Sequence, residues 1–180
     1  MVNTVIFKWN PAISSVSMLD FLNWIYYKDI EGDWSVRDYD RVRAKDVFYM
    51  LKVGKGQTGI VMNGLITAAP ERGEDWSGQG RVTYYGNYKA QIMINPDTFP
   101  LLTSEELYES VPDFDWFGGH SGVVLNKKQT EELKALWEKY LQNSRDEFKA
   151  RLELMEQRNM TNDQLYLAPR LKTRLFGDNK

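Results

Sequence analysis

The chain has 180 residues, no cysteine, one histidine and a formal net charge of −2. These numbers exclude disulfides, zinc–thiolate sites, cysteine nucleophiles and a histidine-rich metal site within one chain. Residues 1–120 carry 11 Lys+Arg against 16 Asp+Glu, and residues 121–180 carry 12 against 9; the acidic body argues against strong non-specific binding to nucleic acid but leaves room for a local basic groove.

In chain order, TVIFKWNP predicts a first strand ending at Pro11. SSVSMLDFLNWIYY predicts a helix capped by Ser15 or Ser17, with Met18, Phe21, Leu22 and Ile25 on one face. DIEGDWSV reads as a turn and a short extended piece, and RDYDRVRAKD as a polar connector. VFYMLKVG and TGIVMNGLITAA are the two strongest strands, joined by a turn at KGQ. PERGEDWSGQG reads as a long polar loop, RVTYYGNYKAQIMIN as one bent strand or two, and PDTFPLLTSEELYESV as holding a short helix capped by Thr103 or Ser104. GGHSGVVLN predicts a final strand, and the segment from Lys127 a long helix with Leu133, Trp137, Tyr140, Leu141, Phe148, Leu152 and Met155 near a 3.6-residue period. The basic stretch after it is expected to dock loosely or stay disordered.

Hairpin connections between central strands predict a mainly antiparallel sheet, curled or closed to remove edges. The expected class is therefore α+β: a small, mainly antiparallel β-barrel of five or six strands with inserted helices and a long C-terminal helix. Its expected division is a barrel domain over 1–140 and a helical extension with a basic tail over 141–180. No apolar run spans a membrane and no leader peptide is visible, so a cytoplasmic location is expected by default.

GKGQTG matches G-x-G-x-x-G, but a β-branched strand follows where a dinucleotide site needs a helix, so the match reads as a hairpin turn. Glu71, Glu74 and Asp75 cluster on a polar loop without ligand spacing, and no metal or cofactor is expected. His120 and Ser121 would point to opposite faces of a strand, which argues against a Ser/His/Asp triad with Asp115. Trp9, Trp34, Trp76 and Trp116 fall at strand ends or in loops beside Asn10, Ser35, Ser77 and Asp115. Aromatic walls with polar groups at the rim suit a flat heterocycle.

The order of parts resembles the PUA-like superfamily, and within it the EVE and YTH-type modules more than the ASCH type. The resemblance rests on FKWNP, DWSVRDY, RAKDVFYMLKVG, TGIVMNG and HSGVVLNKKQTEEL and covers residues 3 to about 137. The GEDWSGQGR insertion and the helix beyond Trp137 depart from the minimal module. The resemblance implies a small barrel that binds DNA or RNA by holding one flipped or modified base. Its pocket would use Trp9, Asn10, Trp34, Ser35 and Trp116, with His120 supporting the loop, and its phosphate contacts would come from Arg37, Arg41, Arg43 and Lys45. The competing expectation is a small enzyme acting on a nucleotide or amide, with Glu74, Asp75, Asp115 and Lys8 as candidates. A third is an interaction protein, or a homodimer, using the long helix.

Overall fold

The computed structural model describes residues 1–75, 77–157 and 163–177. The architecture is α+β: a curled mixed sheet forming a half-barrel, with four helices. β1 (Thr4–Trp9) leads to α1 (Met18–Tyr27) and β2 (Glu31–Ser35). A short 3₁₀ turn, Tyr39–Arg41, precedes β3 (Val47–Lys52) and β4 (Gly59–Ile66). β5 (Glu71–Glu74), β6 (Val82–Ile94) and β7 (Leu102–Thr103) follow, then α2 (Ser104–Ser110), β8 (Val123–Val124) and α3 (Lys127–Gln157). β9 (Leu165–Leu167) and α4 (Pro169–Phe176) complete the described chain.

The main strand order is β2-β6-β4-β3-β1-β8, with β5 and β9 pairing β6 and β7 pairing β4. Pairing is antiparallel except between β1 and β3, which run parallel from Thr4↔Val47 to Trp9↔Lys52. A parallel pair needs a crossover, and α1 with β2 supplies it. β1 lies between β3 and β8, so five of its six residues are buried instead of alternating. The two ends of the sheet path approach each other where Arg37 and Asp38 donate backbone N–H bonds to the carbonyls of Ser121 and Gly122 (3.1 and 3.0 Å).

Local chemistry sets the helix starts. Ser17 and Asp20 form a reciprocal capping box on α1, and Thr103 and Glu106 form one on α2. The buried Asp46 carboxylate accepts the Asn3 and Arg43 amides at 2.9 and 2.8 Å, fixing the entry to β3. The glycine-rich turn between β3 and β4 is a hairpin with Gly54 and Gly56 at positive φ, and the Lys52 ammonium donates to the carbonyls of Lys55 and Gln57.

Three expectations need correction. The stretch from Glu71 is not all loop, because β5 pairs with the start of β6 as one arm of a hairpin; Trp76 lies outside the described residues. The final strand shrinks to Val123–Val124, because positive φ at Gly119 and Gly122 keeps the preceding residues out of the ladder. The segment after α3 is not loose where described: β9 pairs with β6 from Ile92↔Leu167 to Ile94↔Leu165, and α4 buries Leu171 and Leu175. The expected division at residue 140 therefore falls inside α3, and the tail adds a strand to the same sheet. Residues 158–162 and 178–180 of that tail lie outside the described residues.

Candidate functional site

A cavity of about 550 Å³ opens where the end of β1, the end of β2 and the loop before β8 meet. The three-residue run Lys8–Trp9–Asn10 organises its walls. Lys8 acts through three groups. Its amide donates to Ser121 Oγ at 2.9 Å, its carbonyl accepts the Trp34 indole N–H at 3.1 Å, and its ammonium donates to the carbonyls of Asp115 and Gly118. The ammonium also lies 4.7 Å from the Phe114 ring centroid, a cation–π distance. Asp115 Oδ1 in turn accepts the Phe117 and Gly118 amides, both at 3.0 Å. One side chain from β1 thus ties down the loop of the far wall.

Trp9 performs the matching task for the near wall. It is 1% exposed, packs 4.9 Å from Phe21, and donates its indole N–H to the Val16 carbonyl at 2.8 Å. That bond anchors residues 12–16, of which Ile13, Ser14, Ser15 and Val16 line the cavity. Asn10 accepts the Ala12 amide at 3.1 Å and sits against Gly54, where a Cβ would come within 2.7 Å of its Oδ1.

Of the residues expected at the pocket, Asn10, Trp34, Ser35 and His120 line this cavity. Trp9 and Trp116 do not: both are buried in the core. Trp116 packs against Phe114 at 4.5 Å and donates to the Val111 carbonyl at 2.8 Å, so its whole ring is spent on holding the loop. His120 is exposed and forms no side-chain hydrogen bond among the described residues; Lys8 and Asp115, not His120, support the loop. His120 and Ser121 both line the cavity, because this stretch is not a strand and the two-residue alternation does not apply.

The lining residues not expected there include Asp33, Tyr85 and Phe117. Tyr85 reaches the site because β2 pairs with β6 in the register Ser35↔Tyr85. Its hydroxyl donates to the Glu74 carbonyl at 2.6 Å. Ile13 (70% exposed) and Phe117 (52% exposed) also line the cavity.

The basic run does not act as one cluster. Lys45 lines a different cavity, and Arg37, Arg41 and Arg43 line neither. Arg41 lies 4.0 Å from Asp38, and Arg43 donates to the Val42 carbonyl. Arg37 is the nearest to the site, through its amide bond to the Ser121 carbonyl. The acids of the enzyme reading are not gathered either. Glu74 and Asp75 do not line the cavity, and Asp75 accepts the Ser77 amide. Among the described residues no group of His, Cys, Asp and Glu could hold a metal ion.

Burial lowers the pKa of Lys8, and the charge of Asp115 opposes this. A lysine whose folded pKa lies below its unfolded value binds fewer protons when folded, so stability rises with pH between the two values, the upper being about 10.4. Lys8→Met is expected to remove that rise, read as the difference between the two proteins in urea unfolding across alkaline pH. Identical pH slopes would show that Lys8 is not held in this half-buried position.

No protein-family model and no curated protein matches the sequence. Among solved structures, the chain is similar to a hypothetical protein from Leishmania major, with a TM-score of 0.48 and 13% identity over 78% of this chain and 98% of that one. It is also similar to a Pseudomonas syringae protein (TM-score 0.49, 14% identity, 74% and 98% covered) and a Pseudomonas putida protein (TM-score 0.50, 14% identity, 74% and 98% covered). At 14% identity the likeness to the Pseudomonas putida protein is one of fold alone.

Proposed function

We propose that the half-barrel is a PUA-like domain that binds nucleic acid by holding one planar, flipped or modified base in the cavity beside Trp34. The observation that carries this reading is the combination lining that cavity: an indole fixed by its bond to Lys8, the Tyr85 ring, and the polar groups of Asn10, Asp33 and Ser35. A volume of about 550 Å³ suits a small planar ligand, since such sites span roughly 300–1,000 Å³. A flat ring gains from a stacking wall that is already fixed, because no rotamer freedom is lost on binding. The polar groups would read its edge, and an unmatched one would cost about 1–3 kcal/mol. The Ile13 and Phe117 side chains at the cavity would pack on the sugar or on neighbouring bases. The resemblance of FKWNP, DWSVRDY and TGIVMNG to EVE and YTH-type modules points the same way.

Phosphate contacts in this reading fall to Arg37, which adjoins the wall formed by Ser121. Trp34→Ala is expected to weaken binding of a base-bearing oligonucleotide by roughly 1–3 kcal/mol, with little change in salt dependence. Arg37→Ala is expected to reduce the log–log salt slope by roughly one unit without changing base preference. Titrations of single-stranded and modified-base duplex oligonucleotides at several salt concentrations check both. If wild type binds none of them above background, or Trp34→Ala binds as wild type does, the reading fails.

A further inference from the structure

A second cavity, of about 890 Å³, lies on the sheet between β4, β6 and α4. Its lining includes Lys45, Lys89, Arg170 and Arg174 and no carboxylate. Arg174 is paired with Glu138 at 2.7 Å. Lys45, Lys89 and Arg170 have no ion pair among the described residues, and all three are exposed. The carboxylate nearest in sequence, Asp46, is already committed to the Asn3 and Arg43 amides. Lys45, Lys89 and Arg170 thus line one cavity on a chain whose net charge is −2, and Glu31, the cross-strand partner of Lys89, does not line it. Like charges gathered without partners repel, and an anion relieves that repulsion.

The rest of the lining combines the polar side chains of Thr67 and Gln91 with an apolar and aromatic part that includes Leu65, exposed despite its place on β4, and the half-buried Tyr166 of β9. One of the cations, Arg170, and one part of the floor, Tyr166, come from residues after 157, brought to the sheet by α4 and β9. The site is separate from the cavity beside Trp34. Between them lies a third depression lined by Asp29, Glu31 and Asp33, which would repel a continuous phosphate backbone. A single nucleic-acid strand running through both is therefore disfavoured, and a small ligand fits better.

We propose that this cavity binds a small diphosphate-bearing molecule with a planar or apolar portion. The phosphates would be held by Lys45, Lys89 and Arg170, and the apolar portion would lie on Leu65 and Tyr166. The inference does not rest on the base pocket.

Isothermal titration calorimetry with inorganic pyrophosphate and with adenosine 5′-diphosphate tests it. Pyrophosphate should bind with one-to-one stoichiometry, and in the Trp34→Ala background the nucleotide should do so as well, more tightly than pyrophosphate because only it covers the apolar floor. Lys89→Gln combined with Arg170→Gln should weaken both about a hundredfold, since each charge-assisted contact is worth roughly tenfold. Lys89→Arg should retain binding, showing that charge rather than damage is responsible, and Trp34→Ala should leave it unchanged. Absence of saturable binding, or wild-type affinity in the double variant, would overturn the proposal. Nucleotide binding no tighter than pyrophosphate binding would overturn the role of Leu65 and Tyr166. Loss of binding in Trp34→Ala would place the ligand in the other cavity. Failure of oligonucleotide binding alone would leave this site standing.

Discussion

Phe148→Ala is expected to cost about 3–5 kcal/mol of folding stability, the range for removing a buried aromatic ring. Phe148 lies on the second half of α3, beyond the part that packs on the sheet through Leu133, Trp137 and Leu141. It is 1% exposed and meets Phe99 edge-on at 5.5 Å and Tyr140 at 6.2 Å. One turn further, Arg151 lies 4.3 Å from the Phe99 centroid and donates to the Thr98 carbonyl at 2.7 Å. Urea unfolding of the purified variant measures the loss. A loss under 1 kcal/mol would mean that this half of α3 does not dock on its own chain. Phe148 is covered by its own chain, so its burial supplies no argument for a homodimer through α3.

Gly122→Ala is expected to lose at least about 2 kcal/mol, and to lose binding at the cavity beside Trp34 as well. Gly122 has φ +79°, and a Cβ there would stand 2.3 Å from Val36 Cα and 2.8 Å from the Ser35 carbonyl oxygen. Backbone cannot move aside as a flexible side chain can. The added carbon would push apart the two sheet ends joined by the Arg37–Ser121 and Asp38–Gly122 bonds. Ser35 and Ser121 are wall residues on opposite sides of that junction. Gly78→Ala is the control: its φ is +71°, but nothing lies within 4 Å of the added carbon. It should show backbone strain alone, about 1–2 kcal/mol. Equal losses in the two variants would show that close approach at Gly122 contributes nothing.

The parts that were legible from sequence are those whose cause is local. The helix starts could be narrowed to Ser15 or Ser17 and to Thr103 or Ser104, and the reciprocal bonds with Asp20 and Glu106, three residues on, select Ser17 and Thr103. The hairpin at Gly54 and Gly56 follows from glycine spacing and the β-branched run after it. Burial of Leu133, Trp137, Leu141 and Phe148 follows from helical period. What was not legible depends on pairing across the chain. Nothing near Trp34 announces that β2 lies against Tyr85 and Gly86. β9 is only three residues long and gains its place from the edge of β6. Tryptophan at a strand end is equally compatible with a core and with a pocket. Trp9 and Trp116 went to the core because each found a carbonyl for its indole N–H there, from Val16 and Val111. Trp34 found its carbonyl on Lys8, at the cavity.

The parallel pairing of β1 with β3, and its antiparallel pairing with β8, set an order on synthesis. β1 leaves the ribosome before both of its neighbours, one of which begins at Val47 and the other at Val123. β1 can pair with β3 once that strand is made, but its other edge stays unpaired until more than a hundred further residues have been made. Such non-local closure is slow, because loop entropy is lost before contacts repay it. The hairpin of β3 and β4 can form sooner, since its partners are close in sequence. A chain arrested before residue 123 would therefore present β1 with one side unpaired, an open edge of Val5, Ile6 and Phe7 suited to capture by another strand.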